Sequence, residues 1–436
     1  VTVSILDRLR TIVGAPNLLT GVDVSPYVVE GRTPTAAVFP GALEEVGAIV
    51  AIANEARVPI MPWGGGTAMS VGAPPSKLGL ILGLRRLGRV IEHEPGDLTA
   101  TVEAGATMSA VQTALRARGQ WLSLDPGDPD RATIGGVLAT NAAGPRRHLY
   151  GTARDVLIGV TVVTADGTVV RGGGKVVKNV AGYDLPKLFV GSYGTLAVIV
   201  SATFKLRPVP EAECLLTASL GSLKDAGLAA RVVMSSDLIP SALDILDGEA
   251  ARAVGIGGDH PMLIVGFDGL PEQVDWQRRE LARLLSECGG DRLRDLPANA
   301  WTALPTAAVA SLGQATVTVR MSVLPARVGD VMEEGAVTAR GAGLRAAFAA
   351  HAGVGSVSAA LVAERDAAGH VIRVIGEWRR IARAAGGYAV VESAPLAVKE
   401  QVDVWDQPGA AMRIMQRVKA QLDPHGILNP DRLLAL

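Results

Sequence analysis

Glycine carries the densest chemistry in this sequence. MPWGGGTAMS (61–70) places Gly64, Gly65 and Gly66 directly after Pro62 and Trp63, with Thr67, Ala68, Met69 and Ser70 following. Successive glycines turn the backbone sharply and leave N–H groups unobstructed, a geometry suited to an anion such as a diphosphate. The same triplet also serves as a plain turn between strands, and alone it does not choose. No Gly-Lys-Ser follows, so it is not the phosphate loop of a nucleoside triphosphatase. No Gly-x-Gly-x-x-Gly opens a helix, and no acidic residue stands at the matching distance, so a nicotinamide site is not expected. A second cluster, LDPGDPDRATIGGVLATNAAGPRRHLYGTARDVLIGV (124–160), puts Gly135-Gly136 at the start of a short helix that Asn141, Ala142, Ala143 and Gly144 end. Small residues at that density let a flat ligand lie against the backbone, and helix-start N–H groups can hold an anion.

The elements that must position these loops read as α/β in the first half. TAAVFP (35–40), VPIMP (58–62), LGLILG (78–83) and LTATVEAG (98–105) predict strands. ALEEVGAIVAIANEA (42–56) and TMSAVQTALRARG (107–119) predict helices, and RDVLIGVTVVTADGTVVRG (154–172) a hairpin turning at Asp166-Gly167. Pro208 and Pro210 mark a boundary. From 214 the order becomes strand, helix, strand, strand, helix, weak strand near Arg292, and from 316 the same order repeats. Two such βαββαβ units predict a duplicated ferredoxin-like arrangement, with helices on one face of an antiparallel sheet. The stretch 295–315 has no clear period and is read as a lid or an edge loop.

Bulk properties exclude several classes. The chain has 436 residues, 48% of them apolar and 19% charged, with a net charge of −1. That balance supports a sizeable core and argues against nucleic acid as a partner. The only cysteines, Cys214 and Cys288, can neither ligate an iron–sulfur cluster nor build a disulfide framework, so a reducing cytoplasmic setting is expected. The opening VTVSILDRLR reads as a short helix rather than a signal. TLAVIVSATF (195–204), about half a membrane span, reads as a buried strand.

Four ordered stretches carry a resemblance: PWGGGTAMS, the 124–160 cluster, GGGKVVKNVAGYDLPKLFVGSYGTLAVIVSATFKLRPVPE and LDPHGILNPDRLL. They resemble the FAD flavoproteins of the vanillyl-alcohol-oxidase (PCMH) type, in the branch of glycolate oxidase, D-lactate dehydrogenase and D-2-hydroxyglutarate dehydrogenase. GPRRHLYG and KVVKNVAGYDL most resemble the smaller FAD-binding subunit of glycolate oxidase. The resemblance implies an α+β fold. A PCMH-type FAD-binding domain of two α/β subdomains spans 1–210, the antiparallel cap spans 211–394, and a C-terminal segment, 395–436, returns to the flavin. It implies that Pro62 to Ser70 wrap the diphosphate, and that Pro126, Thr133, Gly135, Gly136, Asn141, Ala142, Gly144 and Gly151 line the flavin and ribityl chain. Gly194, Thr195 and Val198 fall to the adenine end, and Asn429 approaches the ring system from the tail. Where the family often carries Gly-Lys after that Asn-Pro, this chain has Asp431-Arg432, so Arg432 stands in the lysine's place. No histidine lies between 61 and 92, so the tether of some members is missing and the FAD is expected to be non-covalent. His148 is read as a surface or supporting histidine beside Arg146 and Arg147 rather than as a tether. Lys175 is read as part of a structural turn, while Lys178 and Asn179 are open to a functional or a structural role.

Oxidising a 2-hydroxy acid needs a cation for the carboxylate, a base or metal for the hydroxyl, and the flavin to take hydride. Arg320 in TVTVRMSVLP corresponds to an arginine of the related dehydrogenases, and is read either as the carboxylate partner or as an ordinary strand-edge cation. Those relatives carry H-x-G-D-G-N-x-H and a later E-H-G for a divalent metal. Here HAGVGSVS keeps His351 but has Val354 and Ser358, and VVESAPL keeps Glu392 but has Ser393. One histidine and one carboxylate make a poor metal site, so no metal is expected. The leading reading is an FAD-binding redox subunit working with a catalytic flavoprotein and an iron–sulfur partner, with Arg320, His351 and Glu392 as candidate catalytic residues. No transmembrane segment is expected, and any membrane association would come through that complex. The alternatives are a stand-alone, metal-independent hydroxy acid dehydrogenase or oxidase using His351 as base, and a degenerate structural flavoprotein.

Overall fold

A computed structural model describes residues 4–175, 183–310, 312, 317–362, 368–406 and 409–433. Besides a two-stranded pairing of Gln120–Trp121 with Arg207–Pro208, its first half contains two larger sheets that share one apolar core. The smaller sheet orders its strands Leu18–Thr20, Ala36–Val38, Leu80–Gly83 and Ile60–Trp63, with Leu80–Gly83 parallel to both neighbours. The helix Leu43–Ala56 makes the crossover these parallel strands need. Glu44 and Glu45 sit in its first turn, where the helix dipole favours negative charge, and Arg57 ends it in the left-handed conformation. Val46, Ile49, Val50 and Ala53 recur at helical spacing and are fully buried.

The second sheet is antiparallel, in the order Val90–Glu94, Thr99–Glu103, Val198–Lys205, Leu157–Val163, Val169–Gly173. Its last hairpin turns at Asp166-Gly167 as the sequence predicts, with Gly167 at φ 85°. Lys175 just beyond it pairs with Glu92 at 2.5 Å, which fits the structural reading of that lysine. Lys178 and Asn179 lie outside the described residues.

The cap is an eight-stranded sheet. Its order is Arg294–Asp295, Ala212–Ser219, Met262–Gly269, Ala242–Leu246, Arg345–His351, Ser356–Val362, Val317–Ser322, Tyr388–Ser393. Each βαββαβ unit thus keeps its own strand order, and the two units join through their second strands, Ala242–Leu246 and Arg345–His351, paired antiparallel. The helices Leu223–Met234, Pro271–Glu287, Val328–Gly341 and Ala368–Ala384 cover one face. The 295–315 stretch differs from both readings made of it. Over 300–310 it forms short helical turns that bury Trp301, Leu304, Ala307 and Ala308 on the opposite face. Its apolar spacing is too short to show a helical period, yet each turn contributes to a core.

The tail closes on the first sheet. After the helix Ala411–Leu422, Ile60 N–H donates to the Ile427 carbonyl at 2.7 Å and Asn429 N–H to the Ile60 carbonyl at 2.8 Å. The buried ammonium of Lys419 donates to the carbonyls of Thr195 and Leu428 and pairs with Asp423. Among the described residues, no helix is long and apolar enough to cross a membrane.

Candidate functional site

The glycine loop follows the strand Ile60–Trp63 at the edge of the first sheet. It cannot carry side chains because the 131–133 segment lies directly on it. A Cβ on Gly64 would stand 2.1 Å from Thr133 Oγ1, and one on Gly65 would stand 1.7 Å from the Arg131 carbonyl oxygen. Gly66 has φ +72°, a left-handed turn that glycine adopts freely. Among the described residues, the backbone N–H groups of Gly64 to Ser70 find no acceptor. Seven consecutive donors without partners make a concave anion site.

Two cations from the tail hold the far end of this loop. The Arg432 guanidinium donates to the Ala73 carbonyl at 2.8 Å and to the Met69 carbonyl. Burial lowers it to about 10, against the pull of Glu30. The Lys399 ammonium pairs with Glu30 at 2.7 Å and donates to the carbonyls of Ser70 and Gly72. Arg432 therefore stands where the sequence places its cation, and it also clamps the loop.

A cleft opens along this loop. Of the residues singled out in the sequence, Pro62 to Met69, Thr133, Gly135, Gly136, Gly194 and Asn429 line it. Thr133 caps the helix Ile134–Thr140, accepting from Gly136 N–H at 3.3 Å. Asn429 donates to the Tyr193 carbonyl at 2.7 Å, while its Oδ1 is enclosed without a partner. That orphan acceptor, the free loop amides and the glycine walls fit a flavin dinucleotide.

The other expected cofactor residues stand outside the cleft wall. Ser70 is exposed, with its carbonyl given to Lys399. Pro126 is buried behind the second cluster, and Asn141 ends its helix in the left-handed conformation. Ala142 N–H closes the same helix end on the Val137 carbonyl, and Gly144 N–H donates to Asp125 at 3.0 Å. Gly151 turns the chain at φ 77°. Thr195 is buried with its hydroxyl on the Ser192 carbonyl, and Val198 is a fully buried strand residue. Their smallness and spacing serve the loop architecture. The wall also uses Val71, Leu84, Ala104, Ala139, Tyr193 and Ile199, which sequence reasoning missed. Apolar strand residues of this kind carry no signal until the fold turns them inward.

A second cavity lies in the cap. It brings together Arg320, His351 and Glu392, far apart in the chain, with Asp244 and Ser358. Strand register explains the convergence. Arg320 lies opposite Ser358, and His351 opposite Asp244 across the junction of the two repeats. His351 Nδ1 stands 3.0 Å from Asp244 Oδ1, and Arg320 Nη2 stands 2.5 Å from Glu392 Oε1. Asp244 is 2% exposed. It was missed, although an acid in the apolar run SALDIL is the signal that could have found it. Among the described residues no group of three or more His, Cys, Asp or Glu side chains gathers to hold a metal ion. The turns 304–309 wall this cavity.

Tyr193 connects the two regions. It lines the cleft, packs edge-on against Trp405 at 5.1 Å, and has its phenol raised to about 12 by burial, with Arg320 opposing and Glu392 reinforcing. The charges of Arg320 and Glu392 are thus felt at the ring of a residue that lines the cleft.

Comparison with known proteins agrees with this geometry. Residues 34–173 match the family described as FAD binding domain, and residues 209–433 match the C-terminal domain of FAD linked oxidases. Glycolate oxidase subunit GlcD of Bacillus subtilis is 36% identical over 233 residues, which is 53% of this chain and 49% of that one. D-lactate dehydrogenase of Archaeoglobus fulgidus is 36% identical over 256 residues, which is 58% of this chain and 56% of that one. The matched part thus spans about half the length of each. The solved structure of p-cresol methylhydroxylase with substrate bound superposes with a TM-score of 0.77 at 18% identity, covering 98% of this chain and 96% of that one, a likeness of fold. The chain belongs to the FAD-linked oxidases, oxidoreductases in which an FAD-binding domain precedes the family's C-terminal domain.

Proposed function

We propose that this chain is the FAD-binding redox subunit of a glycolate oxidase-like complex that oxidises a small 2-hydroxy acid to its 2-oxo acid. The convergence of Arg320, His351, Asp244 and Glu392 in one cavity supports this reading. The domain limits 1–210, 211–394 and 395–436 belong to it. The cofactor residues are those of the cleft wall, with FAD held without a covalent bond, in a cytoplasmic setting. Bound FAD supplies the two-electron acceptor. In the second reading, given next, His351 takes the proton of the substrate hydroxyl, with Asp244 on Nδ1 fixing the tautomer and steadying the charged ring. Arg320 and Glu392 form the polar wall beside it. Two cysteines, Cys214 and Cys288, give no means of onward transfer through a cluster, which assigns that step to a catalytic flavoprotein and an iron–sulfur partner.

The His351–Asp244 pair also favours a second reading, in which the isolated chain is a complete, metal-independent dehydrogenase. Anaerobic mixing of the yellow FAD-loaded chain with glycolate or D-lactate separates the two. Slow bleaching that partner subunits accelerate supports the subunit. Rapid bleaching by the chain alone, lost by about 100-fold or more in His351→Asn, supports the stand-alone enzyme and sinks the subunit reading.

A further inference from the structure

The loop GPRRHLYG delivers a cation that the site as described does not use. Arg147 opens the short helix Arg147–Tyr150, which belongs to the first half of the chain but packs on the cap. The helix touches the strand Ala242–Leu246, which carries Asp244, and the turn Ala352–Val354, which follows His351. The fit is close, since a Cβ on Gly353 would stand 2.0 Å from His148 Nδ1.

Among the described residues the Arg147 side chain makes no hydrogen bond and no ion pair, and its Nε is enclosed without a partner. Burial, and then the like charge of Arg320, lower its guanidinium to about 10, against the pull of Asp125, Asp244 and Glu392. Each of those carboxylates is already engaged. Asp244 faces His351 at 3.0 Å, and Glu392 holds Arg320 at 2.5 Å. Asp125 accepts the N–H groups of Gly144 and Arg146, both at 3.0 Å. An enclosed cation without a direct partner is costly, and a planar guanidinium fork matches a carboxylate with two parallel hydrogen bonds. Arg320, which the sequence marked for that role, is occupied by Glu392.

We propose that Arg147, reaching across from the FAD-binding part, anchors the carboxylate of the substrate, and that Arg320 in its pair with Glu392 shapes the cavity wall. This rests on the reading that the cavity takes a 2-hydroxy acid. It makes the substrate site a joint product of both parts of the chain.

Oxalate tests it, because it resembles a 2-oxo acid and has no C–H bond to oxidise. Calorimetric titration of the FAD-loaded full chain, with flavin absorbance followed in parallel, gives the affinity without turnover. Arg147→Gln is expected to weaken oxalate binding about 10- to 100-fold, with FAD content unchanged, and Arg320→Gln to weaken it less. Arg147→Lys, which keeps the charge and loses the fork, is expected to fall between wild type and Arg147→Gln. Should the glutamine variant not retain FAD, the lysine variant decides: weakened binding supports the anchor, and wild-type affinity overturns it. Wild-type affinity in Arg147→Gln, or a larger loss in Arg320→Gln, likewise overturns the assignment and leaves the hydroxy acid reading standing. No oxalate binding by the wild-type chain overturns that reading and the anchor together.

Discussion

Asp125 lies beneath the GPRRHLYG loop and accepts backbone N–H groups from Gly144 and Arg146. Burial pushes its carboxyl up to about 6, outweighing those two bonds and the charges of Arg146 and His351. In an unfolded chain an aspartate titrates near about 4. The folded protein therefore holds the proton more tightly. The stability this contributes is complete below about pH 4 and is lost as pH rises through about 6. Asp125→Asn has no proton to exchange there, so the melting temperature of wild type relative to this variant should fall between about pH 4 and pH 6.5. A flat difference across that window would refute the raised pKa. At this scale the sequence was legible unevenly. Arg320, His351 and Glu392 stood out by type and motif, and the cap brings them together. Asp244, Arg147 and Tyr193 did not, because their importance lies in what they face.

The glycine loop shows how one element can serve two demands. Its amides are free, as an anion site needs, and its missing side chains make room for the 131–133 segment. Gly65→Ala forces a methyl against the Arg131 carbonyl, where no rotamer can yield. We expect a loss of about 1–3 kcal/mol, read as a lower melting temperature, together with loss of bound FAD after purification. Gly96→Ala is the control, because nothing lies within 4 Å of its added carbon, and it should keep both. Strands and helices of regular period were legible throughout both halves, since burial of one face imposes the period directly. The 300–310 turns were not, because three or four residues are too few to show one.

At the scale of the molecule, Arg146 fastens the cap to the FAD-binding part. Its side chain is 8% exposed, pairs with Glu213 at 2.7 Å and Asp268 at 3.2 Å, and stacks on Trp301 with its carbon 3.8 Å from the ring centre. Tyr150 adds a hydrogen bond to Asp268 at 2.6 Å. Arg146→Met leaves Asp268 buried with only that phenol. The cost should be about 3–5 kcal/mol in denaturant unfolding, with faster protease cleavage near 206–212 as the two parts separate. Pairing it with Asp268→Asn should recover part of the loss. Full stability in the single variant would show that the docking rests on other contacts.

Read residue by residue, the sequence determined the repeat in the cap and the periods of most elements, while the cofactor came from the resemblance its ordered motifs carry. Those periods depend on local chemistry: which residues alternate, and which recur every three or four positions. The tertiary structure alone decided that the two repeats meet through their second strands and set Asp244 opposite His351. It alone paired Arg320 with Glu392 and left Arg147 without a direct partner among the described residues. Charges act through space, so their pairing is settled only when the chain has closed on itself.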